Sequence, residues 1–581
     1  MIILTMKRFL LSLALVLCAT GLFAQIENAQ INGSFQIDGQ YYQVDESIGI
    51  TEESINGNKF GVAGFGKINY SLGNFNAGIR YEAYLPQLSG FDARLQGVGI
   101  ANYSASYDNG TIGITIGDIY DQFGNGFIFR TYEEWSLGFD NSLRGMRVIY
   151  RPTEGVTLKA VYGKQRLYWQ SYGAAESRGV VRGIDGEWDI NQSIEAMNDS
   201  KFRATVGGSF VSKYQKNTNS TYNIPENVGA FDGRINLGYG RFAFTTEYAY
   251  KINDPSFFNN YIYHEGQALL SSLSYSQKGF GAILQVKRVD NMSFKSDYKG
   301  VKNDLDINFI PPINYTHTHS LPAIYTYATQ PLGEMAMQLQ VNYTIPKKTI
   351  IGGKYGTKIT LDFSQVNDIK RNYGQEAPTP THIAGYDGTL GYTSPFFAVG
   401  DRKFFHDFNI EIERRLSKKW KLIAQYINLY YDMETIENHP GAEVVKANIG
   451  FIDLSYRITN KQSIRMELQH LWDNITAGKA DMEKVNEHPD NYKKRGNWAA
   501  ALVEYSIGAK WFVSVGDKWN YGNPIEDNRD HYYSASVGYI KESTRITLTG
   551  GRQSEGMVCV GGVCRVVPAS SGISLSITTT F

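Results

Sequence analysis

The sequence predicts an all-β fold, a transmembrane antiparallel β-barrel of about 24 strands, and three observations lead to that prediction. Apolar and polar residues alternate over many short segments. The connections between these segments alternate between long and short. After the first 24 residues, no stretch reaches the roughly 18 consecutive apolar residues that a membrane-spanning helix requires. Strands with one apolar and one polar face, joined in this way, are typical of outer-membrane barrels.

The N-terminus has the pattern of a secretory signal peptide. Lys7 and Arg8 precede an apolar run over residues 9–17, and Ala24 followed by Gln25 is a suitable cleavage point. The pattern therefore predicts that residues 1–24 are removed on export and that residues 25–581 form the barrel. Because the first predicted strand begins at Ala29, we expect no N-terminal plug domain.

The strand pattern is clear in residues 337–343, where Met337, Leu339 and Val341 would share one face and Gln338 and Gln340 the other. In a soluble sandwich the apolar face would point to a shared core, whereas in a barrel it would point to lipid. The spacing of the connections favours the barrel, because short periplasmic turns and long extracellular loops alternate in that fold.

The predicted short connections are residues 71–74, 108–110, 152–155, 238–241, 277–279, 416–419, 507–510 and 541–543. The predicted long ones are residues 44–59, 120–142, 166–178, 214–229, 290–333, 365–402, 473–496 and 553–569. The pattern is compatible with about 22–26 strands, because residues 320–329 could form an extra strand. An even number would leave both termini in the periplasm.

The C-terminal segment indicates how the barrel closes and which partners it meets. Ile573, Leu575 and Ile577 alternate with polar residues, and the sequence ends at Phe581. This resembles the closing strand of an outer-membrane barrel, which the barrel-assembly machinery recognises. The expected partners are therefore outer-membrane lipid and, through Phe581, that machinery.

Composition excludes some classes of protein and says little about cofactors. The 57 basic and 57 acidic residues cancel, so nothing points to nucleic acid. The spacing of Cys559 and Cys564 fits a disulfide in an oxidising compartment. A two-thiolate metal site is the weaker alternative, since a lone pair lacks the other two ligands of a tetrahedral centre. We expect no metal and no cofactor.

The most unusual segment is residues 117–151, which combines closely spaced glycines with mixed charges. Such a loop can fold back against the wall and narrow the lumen, where its charges would select solutes. The candidate constriction consists of Arg130, Glu133, Glu134, Arg144 and Arg147. The alternative is that these groups only pair with one another in a structural salt-bridge network.

Histidines offer two further kinds of site. His317 and His319, two apart on an extended chain, could begin a metal site. His406 with Asp407, and Glu467 with His470, are candidate pairs of base and orienting carboxylate. Such neighbours also arise by chance in a chain with 57 acids, and no nucleophile motif accompanies them. We therefore expect that the protein has no enzymatic activity.

A resemblance adds to this prediction. The motifs Phe123-Gly-Asn-Gly126, Tyr132-Glu-Glu134, Asp140-Asn141, Gly163-Lys-Gln165 and Val181-Arg-Gly-Ile-Asp185 resemble the pattern of a functionally unassigned family of Gram-negative outer-membrane barrels. The match is strongest over residues 115–190. The resemblance implies location and fold but supplies no catalytic residues.

The sequence favours a porin-like or substrate-selective channel that lets solutes diffuse past a loop constriction. The alternative is a barrel that does not transport but serves as a scaffold or partner of a secretion, surface-anchoring or assembly complex. In that case protein partners would dock on extracellular loops such as residues 290–333 and 365–402.

Overall fold

The barrel consists of 24 strands, and the computed structural model describes residues 29–55, 57–169, 178–373, 389–560 and 563–581. The first twelve strands are β1 Gln30–Tyr42, β2 Phe60–Leu72, β3 Phe75–Tyr84, β4 Gly97–Asp108, β5 Ile112–Ile119, β6 Leu143–Tyr150, β7 Val156–Gln165, β8 Val180–Asp189, β9 Phe202–Tyr214, β10 Asn227–Tyr239, β11 Phe242–Lys251 and β12 Gly266–Gln277. The others are β13 Phe280–Asp290, β14 Gly333–Ile345, β15 Thr357–Ile369, β16 Val399–Arg415, β17 Trp420–Tyr431, β18 Val445–Thr459, β19 Gln462–Asp473, β20 Trp498–Ile507, β21 Trp511–Trp519, β22 Ser534–Lys541, β23 Thr544–Gln553 and β24 Ser570–Thr580. The predicted signal peptide lies outside the described residues.

Every strand pairs antiparallel with its neighbours in the sequence, and β1 also pairs with β24, so the sheet is a closed ring. The predicted all-β class, antiparallel pairing and strand number are confirmed. The extra strand considered at residues 320–329 does not form, since Pro322–Tyr325 is a short 3-10 helix. No helix in the described part of the chain is long and apolar enough to cross a membrane.

Alternation places apolar side chains on the outside of the wall. Met337 and Leu339 on β14 are exposed, whereas Gln338 between them is buried towards the interior. The same pattern holds on β5, where Ile112, Ile114 and Ile116 are all exposed. A continuous band of exposed apolar residues is costly in water and is typical of a surface that contacts lipid.

The connections at the two ends of the barrel differ in length. At one end they comprise residues 73–74, 109–111, 151–155, 190–201, 240–241, 278–279, 346–356, 416–419, 460–461, 508–510 and 542–543. At the other, which we name the long-loop end, they comprise residues 43–59, 85–96, 120–142, 166–179, 215–226, 252–265, 291–332, 370–398, 432–444, 474–497, 520–533 and 554–569. Both chain ends of the ring, Gln30 and Thr580, lie at the short-turn end.

Loops fill the interior near the long-loop end. Phe123, Phe127 and Phe129 from one loop, and Met292 and Phe294 from another, are completely buried and belong to the same hydrophobic cluster. The inward-facing residues of several strands, including Val161 on β7, complete this cluster. The barrel therefore has a packed core inside its wall, formed by its own connections.

The ring closes at the C-terminal residue. Gly33 and Phe581 exchange two backbone hydrogen bonds, each 3.0 Å long. A Cβ atom at Gly33 would lie 2.4 Å from the Phe581 ring and 2.7 Å from the Lys67 carbonyl oxygen. The absence of a side chain at Gly33 therefore allows the terminal phenylalanine to pack across the seam.

We expect Gly33→Ala to destabilise the barrel by about 1–3 kcal/mol, because the methyl group clashes with both neighbours. Gly39→Ala on the same strand is the matched control, since a Cβ there meets nothing within 4 Å. The measurement is the unfolding temperature of each variant, followed by the change in gel migration between folded and unfolded barrel. Equal unfolding temperatures for the two variants would show that the seam does not depend on Gly33.

Candidate functional site

The connection between β13 and β14, residues 291–332, enters the barrel and is named here the strap. Its side chains Met292, Phe294, Ile307 and Leu321 are completely buried. A surface loop would expose such residues, so their burial shows that the strap belongs to the barrel interior. The sequence prediction had placed this segment outside, as an extracellular loop.

Three lysines of the wall hold the first part of the strap. Lys213 on β9 donates to the Lys295 carbonyl oxygen over 2.8 Å, and Lys251 on β11 donates to that of Ser293 over 2.5 Å. Lys287 on β13 donates to the carbonyl oxygen of Pro311 over 2.6 Å. A buried ammonium group also requires a carboxylate that balances its charge. Lys213 and Lys251 pair with Asp254, and Lys287 pairs with Glu334.

The strap then crosses from one side of the ring to the other. The Asp306 carbonyl oxygen accepts a 2.7 Å hydrogen bond from Gln165 on β7. The Leu321 backbone N–H donates over 3.0 Å to the Gln469 side chain on β19. Because β7 and β19 lie half a turn apart in the ring of 24 strands, the segment between these contacts extends inside the barrel over half of the ring, with Pro311 bound by Lys287 on β13 between them.

Two histidines fasten the crossing segment to carboxylates of the wall. His317 Nε2 lies 2.6 Å from Asp407 Oδ2 on β16, and His319 Nδ1 lies 3.1 Å from Glu467 Oε2 on β19. Glu467 also pairs with Arg465. These contacts fix the height at which the strap crosses.

A polar chamber of about 620 Å³ lies between strap residues 318–320 and the wall from β19 to β24. The charged residues that line it are Arg465, Glu467, Asp517, Lys518 and Arg552. Lys518 Nζ donates to Ser554 Oγ over 2.8 Å and forms no ion pair with a described residue. The chamber thus presents a cationic group that forms no ion pair with a carboxylate of the described residues.

The five residues of the predicted constriction lie away from the polar chamber, near β5 to β7, and each contacts a neighbouring residue. The Arg130 guanidinium lies 3.8 Å from the centre of the Tyr132 ring, and burial lowers the Arg130 pKa. Glu133 pairs with Arg80, and Glu134 accepts a 3.2 Å hydrogen bond from the Ser136 backbone.

The other two constriction candidates are paired with acids of the neighbouring wall and loop. Arg144 pairs with Asp118 at 2.6 Å, and Arg147 pairs with Asp121 at 3.2 Å. Asp118 and Asp121 belong to the same segment, residues 117–151, but are not among the five candidates. A role of the five residues in solute selection remains a prediction.

A buried ionic network connects the wall to two loops at the long-loop end. Arg80 on β3 pairs with Glu82 at 2.8 Å, and Arg166 pairs with Glu82 at 2.8 Å and with Asp140 at 2.6 Å. Arg80 also contacts Asp140 and Glu133. Burial raises the pKa of Asp140, but the two guanidinium groups outweigh burial and hold that pKa below its usual range.

A disulfide-bonded hairpin covers part of the long-loop end. Its two strands are Gly556–Val560 and Val563–Val567, joined by the Cys559–Cys564 bond. The Cys564 carbonyl oxygen accepts a 3.1 Å hydrogen bond from Asn303 of the strap, and the Arg565 guanidinium lies 4.7 Å from the centre of the Phe91 ring. Burial lowers the pKa of Arg565 to about 10.

The histidine pairs considered from the sequence do not form. His406 and Asp407 are adjacent on β16, so their side chains point to opposite faces of the wall. His470 bonds Tyr521 at 2.7 Å, while the Glu467 carboxylate binds His319. Within the described residues, no group of three or more metal-ligating side chains is found.

We expect Arg80→Leu to cost about 3–5 kcal/mol, because it removes one of the two cations that pair with the buried carboxylates of Glu82 and Asp140. Arg151→Leu is the control: Arg151 pairs with Asp108 where both side chains are substantially exposed, so its loss should cost at most about 1 kcal/mol. Thermal unfolding gives the stabilities, and limited proteolysis of residues 120–142 reports local loosening. Equal stability losses would contradict the assignment of the network as a structural support.

Comparisons with known proteins give the following similarities. No curated protein matches the sequence significantly. The siderophore receptor PirA from Pseudomonas aeruginosa is 8% identical, with 95% of this chain and 80% of that chain covered and a TM-score of 0.40. A variant of the ferric enterobactin receptor PfeA from the same organism is 9% identical, with 95% of this chain and 81% of that chain covered and a TM-score of 0.42. OccK3 from that organism is 9% identical, with 76% of this chain and 96% of that chain covered and a TM-score of 0.33. At these values the likeness carries no conclusion about function.

The family comparison covers nearly the whole sequence. Residues 6–581 match the model of DUF6029, described as a family of unknown function. This match confirms the resemblance to a functionally unassigned family that the motifs between residues 115 and 190 predicted. The chain belongs to the DUF6029 family.

Proposed function

We propose that the protein is an outer-membrane barrel through which small solutes diffuse by a narrow route beside the strap. The observation that carries the proposal is that the strap, bound to the wall through His317 and His319, extends inside the barrel from β7 to β19 yet leaves the polar chamber beside β19 to β24. A porin-like wall with an inward loop combines passage with a size limit.

The location rests on physical features of the chain. The outer wall carries a band of exposed apolar side chains, and the 24 described strands form a closed ring without an unpaired edge. Strands that lie in hydrocarbon require both features. The N-terminal pattern of Lys7, Arg8 and the apolar run supports export by a cleavable signal. Under this proposal the long-loop end is extracellular.

The proposal also covers the interior and the partners. Because the strap is buried inside the barrel, the proposal includes no separate plug domain. Lipid contacts the apolar band, and assembly machinery would recognise Phe581, whose side chain is about half exposed. No catalytic step is proposed, because Asp407 and Glu467 contact strap histidines rather than the partners suggested from the sequence, His406 and His470.

We expect the purified barrel to give small, steady conductance steps in planar bilayers, and His317→Ala/His319→Ala to give larger or fluctuating steps. Removing both imidazoles releases the crossing segment from Asp407 and Glu467. The control is His439→Ala/His488→Ala, which alters two histidines outside the strap, and folding of each variant is checked by gel migration. Absence of conductance in the wild-type barrel would refute the proposal, whatever the variants do.

Ion selectivity can show which part of the lumen solutes pass. Lys518→Gln removes the chamber's unpaired positive charge, so we expect the reversal potential in a salt gradient to shift towards cation preference. Arg144→Gln also removes one positive charge, but from the predicted constriction near β5 to β7. We expect this variant to shift the reversal potential less than Lys518→Gln does. A shift with Arg144→Gln alone would place the passage at the constriction predicted from the sequence.

A further inference from the structure

A groove of about 750 Å³ lies on the outer face of β7 to β10, close to the long-loop end. The alternation along β7 and β8 shows which face this is. Val161 and Val181 are buried in the interior cluster, whereas Tyr162 and Ile184 are more than half exposed. Residues on the same side of these strands as Tyr162 and Ile184 therefore face the surroundings of the barrel. The proposed location puts this surface against lipid.

The groove is polar towards the long-loop end and apolar towards the middle of the wall. Each of three neighbouring strands contributes one polar residue nearer its end and one apolar residue nearer its middle: Arg182 and Ile184 on β8, Ser212 and Phe210 on β9, and Asn227 and Phe231 on β10. The Phe210 and Phe231 rings lie 4.8 Å apart between their centres. A membrane lipid has the same order, with its headgroup outermost and its acyl chains towards the middle of the bilayer.

Small residues form the floor of the groove. Ser212 on β9 is paired with Gly229 on β10, and both line the groove. A Cβ atom at Gly229 would lie 3.1 Å from the Phe210 ring. Because two small residues lie side by side here, the wall is recessed between Arg182 and the two phenylalanine rings.

Two cations lie at the polar side of the groove. Arg182 is exposed and donates a 2.8 Å hydrogen bond to Asn227 Oδ1. Tyr162 is paired with Arg182 across β7 and β8, and Lys164 lies two residues beyond Tyr162 on the same face. Residues in such a diagonal position are roughly 7–8 Å apart, so both side chains can reach one ligand. Neither Lys164 nor Arg182 forms an ion pair with a described residue.

The charge of this site selects among lipids. Aromatic residues at a membrane interface contact lipids of any headgroup, so the phenylalanine rings alone would not discriminate. Basic side chains near the membrane surface add attraction for anionic lipids. The planar guanidinium group of Arg182 also matches the geometry of phosphate oxygens, to which it can donate two hydrogen bonds.

We propose that the groove binds a phosphorylated lipid of the leaflet at the long-loop end. The phosphate lies between Lys164 and Arg182, and the acyl chains lie against Phe210 and Phe231. The inference rests on the proposed membrane location and does not depend on conduction through the lumen.

The test is native mass spectrometry of the detergent-purified barrel, titrated with dioleoyl phosphatidic acid or with dioleoyl phosphatidylcholine. The two lipids have the same acyl chains, so a difference in affinity reports the headgroup. We expect phosphatidic acid to bind more tightly. Lys164→Gln/Arg182→Gln should weaken its binding about tenfold and leave the binding of phosphatidylcholine nearly unchanged.

The matched control is Lys403→Gln/Lys446→Gln. It removes the same charge near the long-loop end of β16 and β18, on another part of the ring. Equal affinity of the wild-type barrel for the two lipids would overturn the proposal. An equal loss of phosphatidic acid binding in the two double variants would also overturn it, because the attraction would then be a property of the whole rim.

Gly229→Leu tests the groove without changing any charge. Its side chain would fill the recess, so we expect weaker binding of phosphatidic acid. Gly233→Leu on the same face of β10 is the control, since a Cβ atom there meets nothing within 4 Å. Folding of each variant is checked by gel migration. Undiminished binding by a folded Gly229→Leu barrel would refute the assignment of the lipid to this groove.

Conductance and lipid binding separate the two proposals. A barrel that conducts but does not distinguish the two lipids would retain the channel proposal and lose the lipid site. A barrel that prefers phosphatidic acid through Lys164 and Arg182 but never conducts would retain the site and lose the channel.

Discussion

Closure of the backbone hydrogen-bond ring is the constraint on which the rest of the structure depends. Each strand of a membrane barrel must pair on both sides, because an unpaired edge in hydrocarbon costs several kcal/mol for each group. Here the last pairing joins β1 to β24, from Ser34 with Thr580 to Tyr42 with Gly572. A ring of 24 strands is too wide for its own side chains to fill, so closure creates an interior that other parts of the chain must occupy.

The long-loop connections occupy that interior, and this determines where charge is buried. The strap brings backbone carbonyl groups against the wall, and the wall supplies Lys213, Lys251 and Lys287 to bind them. Each buried cation then needs an acid: Lys287 and Glu334, for example, pair at 2.6 Å with both side chains fully buried. Polar residues along the inner wall are thus structural contacts of the strap near the long-loop end.

The strands could be predicted from the sequence because the information is local. Gln338 between Met337 and Leu339 shows a two-residue period, and the turn at residues 278–279 lies where the prediction placed it. The strap could not be predicted in this way. His317 and Asp407 are 90 residues apart and His319 and Glu467 are 148 apart, and periodicity carries no information about such pairs. The apolar residues Met292, Phe294 and Ile307 were the available signal, since a loop in water has little reason to contain them.

The strap lines two cavities inside the barrel. His317 lines a cavity of about 340 Å³ between the strap and the disulfide hairpin, and His319, two residues later, lines the polar chamber. Both imidazoles are bound to wall carboxylates, so the segment between them cannot shift towards one compartment without breaking a contact that faces the other. The pair of histidines therefore fixes the position of the strap relative to both cavities.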